Sequence, residues 1–135
     1  MTRIRTRVAA LMTAAVVSGG LVLTSAGTAS AAEPSVRFVG GSTAISVFID
    51  GKFAGAAYWK ANGDKLQATD TTADGWYVAA YLGTNPVREA STDGHRSPYT
   101  ATKTGNLPEG NKYNFWACVG KGSLFRCSPI WKATA

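Results

Sequence analysis

Histidine occurs once in this chain of 135 residues, as His95, cysteine twice and acidic residues only eight times. Each scarcity closes a class of chemistry. Two cysteines and one histidine fall short of the four ligands of a structural zinc site. The chain has no nucleophile-elbow pattern, no metal-binding histidine pair and no phosphate-cradling glycine loop. A triad of Ser97, His95 and Asp93 would crowd three roles into one loop, where neighbouring side chains rarely converge in the required geometry. With so few acids in a small domain, a paired-carboxylate glycosidase has little room for a substrate cleft. The expectation is a protein that is not an enzyme, with no catalytic residue, no resident metal and no cofactor.

What the chain does have begins with an address. Arg3, Arg5 and Arg7 precede an apolar run over residues 8–17, and Ala29-Ser30-Ala31 offers the small residues that signal peptidase accepts. Residues 1–31 therefore read as a secretory signal peptide, with cleavage near Ala31 or Ala32. Gly19-Gly20 interrupts the apolar run, so no stable membrane anchor is expected. The whole chain carries a formal charge of +6, but three arginines leave with the signal, so residues 32–135 carry about +3. A charge that mild does not ask for nucleic acid or an anionic membrane as partner. Roughly 100 residues suffice for one domain with one core. The expected product is a secreted, extracellular monomer.

In that domain hydrophobic residues never recur at helical spacing over a useful length, and turn signals come about every ten residues. Val36 to Val39 reads as a short strand, followed by Gly40-Gly41. Residues 44–49 put Ile45, Val47 and Ile49 on one face and Ser46 and Phe48 on the other. Asp50-Gly51 and Asn62-Gly63 are two-residue hairpin signals, because Asn, Asp and Gly tolerate the positive φ of a type I′ turn. Strands should flank them at 53–60 and 65–69, where Leu66 and Ala68 alternate with polar neighbours. Asp64, Asp70 and Asp74 lack the spacing of a calcium loop, and residues 70–75 read better as turns in which Asp caps its own backbone. A further strand runs from Trp76 to Leu82.

Cys118 and Cys127 form a disulfide by default after export. Gly122-Ser123 suits a type II′ turn with Gly supplying the positive φ, and pairing outward from it sets Cys118 directly opposite Cys127. The alternation of the ladder puts that pair at a closer, non-hydrogen-bonded site. From 83 to 98 the chain turns polar around Pro86, Asp93-Gly94 and Pro98, and reads as the longest loop. It either carries a site or joins two sheets.

Leu107, Pro108, Gly110 and Tyr113 resemble the corner before the penultimate strand of fibronectin type III and related immunoglobulin-like domains. The resemblance implies an antiparallel β-sandwich of about seven strands, a Tyr113 hydroxyl bonded to upstream backbone, and a core tryptophan, for which Trp59 is placed. A wider resemblance rests on Gly63-Asp64, the spacing of Asp70 and Asp74-Gly75, the corner at 107–110 and the late cysteine pair. Together they resemble small secreted proteins of actinomycetes. That implies export and a β domain, and carries no activity with it.

Aromatic adjacency is the feature that points to a role. Tyr58-Trp59, Trp76-Tyr77 and Phe115-Trp116 are neighbours in expected strands, and successive strand side chains face opposite ways. With Trp59, Trp76 and Phe115 turned to the core beside Tyr113 and Val78, Tyr58, Tyr77, Tyr81 and Trp116 lie outside. Exposed rings anchor protein interfaces or stack on sugars. The expected ligand-binding residues are therefore Tyr58, Tyr77, Tyr81 and Trp116, with His95 and Arg96 from the polar loop. Two roles follow: an extracellular protein-binding module or inhibitor, or a module that binds cell-wall or other polysaccharide.

Overall fold

The computed structural model describes residues 27–135. The arginines and apolar run of the expected signal peptide lie outside the described residues. Residues 32–135 contain ten strands: β1 (Val36–Gly40), β2 (Ala44–Ile49), β3 (Lys52–Lys60), β4 (Lys65–Asp70), β5 (Tyr77–Leu82), β6 (Arg88–Ser91), β7 (Tyr99–Lys103), β8 (Lys112–Lys121), β9 (Leu124–Cys127) and β10 (Trp131–Thr134). They form two antiparallel five-stranded sheets, in the order β1-β2-β3-β4-β7 and β10-β8-β5-β6, with β9 also paired to β8. The sandwich is all-β as expected. It has ten strands where the corner motif implies about seven.

Alternation along each strand builds the core. Ile45, Val47, Trp59, Leu66 and Ala68 of the first sheet meet Val78, Ala80, Leu82, Phe115, Ala117 and Val119 of the second in one buried cluster. Trp59 is 2% exposed, and its indole Nε1–H donates to the Thr134 carbonyl at 2.8 Å, which satisfies the one polar atom the ring buries. Trp76 and Phe115 also face inward, as the pattern requires.

Two of the expected hairpins form as written. Asp50 and Gly51 both have positive φ, at 50° and 76°, and pair Ile49 with Lys52. Gly122 alone is positive, at 57°, in the turn that pairs Lys121 with Leu124. The hairpin at Asn62-Gly63 differs. Positive φ falls on Gly63 (86°) and Asp64 (47°), and the Asp64 amide donates to the Ala61 carbonyl, so the loop spans four residues between Lys60 and Lys65. Asn62 and Gly63 then occupy the central positions of a turn in which only the second needs positive φ.

Residues 83–98 are not one loop. Arg88–Ser91 pairs with β5 as the edge strand of the second sheet, and Tyr99–Lys103 then pairs with β4 at the edge of the first. The polar stretch is the connection between sheets with a strand inside it. Asp70 and Asp74 accept bonds from the amides two residues on, Thr72 at 3.1 Å and Trp76 at 3.0 Å, which is the expected turn chemistry. The corner at 107–113 is held by backbone: Gly110 N–H donates to Ala135 O, and Ala135 N–H donates to Asn111 O. Tyr113 packs against the core, and its hydroxyl has no hydrogen-bond partner among the described residues.

Candidate functional site

β8 is long enough to carry two neighbours on one side, β10 along Lys112–Phe115 and β9 along Cys118–Lys121, while β5 runs along its other side. Its outward positions are Asn114, Trp116, Cys118 and Gly120. Those of β5 are Tyr77, Ala79 and Tyr81. Register sets Tyr81 opposite Trp116 and Tyr77 opposite Gly120. The Tyr81 and Trp116 rings stack with centroids 5.3 Å apart and planes 10° from parallel. Tyr77 lies over the bare backbone of Gly120, where an added Cβ would come within 2.4 Å of its ring. Only glycine leaves room for a ring lying so close to the sheet.

The floor between these rings is made of small groups and a staple. Ala79 faces Cys118, and Cys118 is bonded to Cys127 with Cα atoms 4.0 Å apart, at the directly opposed position the sequence places them in. Phe125, 49% exposed, extends the aromatic row onto β9 opposite Gly120. No sequence pattern singles out Phe125. Its outward direction follows once the Gly122-Ser123 turn fixes the register.

Three of the four rings expected outside, Tyr77, Tyr81 and Trp116, thus gather on one face. Tyr58 does not join them. It pairs with Gln67 of β4 and Ala44 of β2, on the outer face of the other sheet.

The phenols sit among carboxylates. Tyr81 Oη–H donates to Glu89 Oε1 at 3.1 Å, across the β5–β6 pair. Burial first, then the Glu89 charge and this hydrogen bond, push the Tyr81 phenol up to about 12. Burial also raises Tyr77, with Asp93 and Glu89 adding to it. Both phenols are neutral donors at any ordinary pH.

His95 and Arg96 are exposed on the turn after β6, closed by His95 N–H donating to Thr92 O at 3.1 Å, with Gly94 at φ 77°. This turn walls a cavity of about 400 Å³ that Tyr77, Trp76, Asp70, His95, Arg96 and Ser97 also line. Tyr77 therefore belongs to both the aromatic face and the cavity. The ring of His95 stacks on Tyr99 at 3.8 Å, 7° from parallel, and the Ser97 hydroxyl donates to Asp70 Oδ2. Ser97 thus spends its proton on a buried carboxylate rather than on the imidazole. Among the described residues no group of three or more metal-ligating side chains converges.

The fold and the face define an all-β sandwich with a gathered aromatic surface. Comparison with protein-family models, with curated proteins and with solved structures finds no match for this chain.

Proposed function

We propose that this is an exported, non-catalytic module that binds another protein through the outer face of its second sheet and the cavity beside it. The observation that carries the reading is the position of Tyr77, which joins the Tyr81–Trp116 stack on one side to the His95-Arg96 turn on the other. Anchored rings bury large area at low entropy cost, and interface energy concentrates in such residues. The disulfide beneath them holds the hairpin of Phe125 in place before any partner arrives, and a pre-ordered surface loses less on binding. Export is supported by the arginine-led segment at the start of the chain and by a bonded cysteine pair, since such bonds persist in oxidising compartments.

Polysaccharide binding uses the same rings and is the second reading. Tyr81 and Trp116 occupy a face of each other by stacking, which leaves fewer free faces for a sugar and favours the protein reading. The experiment is retention of oxidised residues 32–135 on a panel of secreted hydrolases and, in parallel, on cell-wall and plant polysaccharides. Capture of one hydrolase, weakened at least about tenfold by Trp116→Ala with the melting temperature kept, is the expected result. Polysaccharide retention that Trp116→Ala abolishes would replace the protein reading with the sugar one.

A further inference from the structure

At the other end of β6, away from the aromatic face, Arg88 and Lys103 line a second cavity of about 360 Å³ with Asn85, Asn106, Pro86 and Leu107. Its charged lining is entirely cationic. Arg88 is fixed in place: one guanidinium nitrogen, Nη1, donates to the Asp64 carbonyl at 2.9 Å, and the group lies against Gly105, where an added Cβ would come within 2.8 Å of Nη2. Asp64, 4% exposed and at positive φ, ties the opposite wall by accepting Leu107 N–H on Oδ2 at 2.7 Å. Two loops, 61–64 and 104–111, are thereby locked around one guanidinium. Asp64 itself is not among the cavity's lining residues.

Among the described residues the one ion pair joins Arg126 to Glu33, so neither Arg88 nor Lys103 has a carboxylate partner. The Asn85 and Asn106 side-chain amides likewise make no hydrogen bond among the described residues. A pre-ordered guanidinium with one nitrogen already engaged, an ammonium and two amides form a donor-rich pocket, and the N–H donors that remain on Arg88 suit a carboxylate oxygen. Pro86 and Leu107 supply an apolar wall. The volume falls at the lower end of the range for small-molecule sites.

We propose that this cavity binds a small hydroxylated carboxylate, the size of one acidic sugar unit. Its carboxylate meets Arg88 and Lys103, and its hydroxyls meet the two asparagine amides. The site is independent of the aromatic face, and either can fail without the other.

The test is an amide and arginine side-chain NMR titration of oxidised residues 32–135 with glucuronate, glucose, acetate and inorganic phosphate. Glucuronate should shift the Arg88 Nε–H, Gly105 and Asn106 signals and saturate in the millimolar range. Acetate should act more weakly and glucose not at all. Lys103→Gln removes an exposed charge on an edge strand and should weaken glucuronate about tenfold, the effect of losing one charge-assisted hydrogen bond. Arg88→Gln should abolish the shifts, with Lys103→Gln guarding against a fold effect at Arg88. Equal shifts from glucose and glucuronate would overturn the proposal, as would phosphate binding as tightly as glucuronate, or no saturable shift with glucuronate.

Discussion

Tyr81 shows how one outward side chain can report on its whole surroundings. Its phenol is held up to about 12 by burial first and by Glu89 second. The folded value lies above the ordinary one of 10, so the stability linked to the neutral phenol is intact below pH 10 and is lost as pH rises from 10 towards about 12. Glu89→Gln should lower the Tyr81 value without returning it to 10, because burial remains. Ultraviolet titration of tyrosinate reads this directly, and a value unmoved by the substitution would leave burial and Tyr77 as the causes of the shift.

Asp64 poses a sharper test. Its Oδ2 satisfies the Leu107 amide, whereas its Oδ1 is buried with no partner among the described residues. Asp64→Asn keeps an oxygen for Leu107, tolerates positive φ and removes a buried charge, so denaturant unfolding should move by less than about 1 kcal/mol. Asp64→Ala strands the amide and keeps the strained φ, and should cost about 1 to 3 kcal/mol. The sequence offers Asp64 as one of three spaced aspartates and as the partner of Gly63 in the wider resemblance. Its burial depends on Leu107, 43 residues away, and no local pattern carries that.

Among the elements, legibility followed turn chemistry. Asp50-Gly51 and Gly122-Ser123 fix their hairpins because the residues needing positive φ are the ones that tolerate it, and the register then sets Cys118 against Cys127. β6 was hidden for the opposite reason. In Arg88-Glu89-Ala90-Ser91 only Ala90 is buried, so a strand of four residues on a sheet edge has no alternation to display. β7 is similar, a threonine-bearing edge strand whose side chains bond across to β4, as Thr100 does to Thr69 at 3.0 Å. Strand order is likewise non-local, so the separation of Tyr58 from the other rings could not be read from spacing. The β8–β9 hairpin also gives a prediction. Opening the disulfide in a Cys118→Ser, Cys127→Ser double variant should cost about 2 to 3 kcal/mol in chemical denaturation. Partner capture by the aromatic face should weaken along with it, because Phe125 sits in that hairpin.

For the molecule as a whole, Ala32–Ala135 forms one compact unit. On the export reading, expression of the whole sequence should yield an extracellular product beginning at Ala32 or Glu33 by intact mass. Residues 32–135 produced alone and oxidised should melt at the same temperature as that product. A full-length mass in the cell pellet, with nothing outside, would remove the export reading while leaving the sandwich untouched.

Along β5 the inward residues Val78, Ala80 and Leu82 close the core, and the outward residues Tyr77, Ala79 and Tyr81 make the face. The two sets interleave in sequence yet share almost no partners across the sheet. Tyr77, Tyr81 and Trp116 are only partly buried, so a change there exchanges one surface ring for another, whereas Ala79, fully buried against the Cys118–Cys127 bond, has no such latitude. The Val78, Leu82 and Phe115 framework is thus separable from the rings at positions 77, 81 and 116, and replacing those three rings together should leave the sandwich folded by circular dichroism.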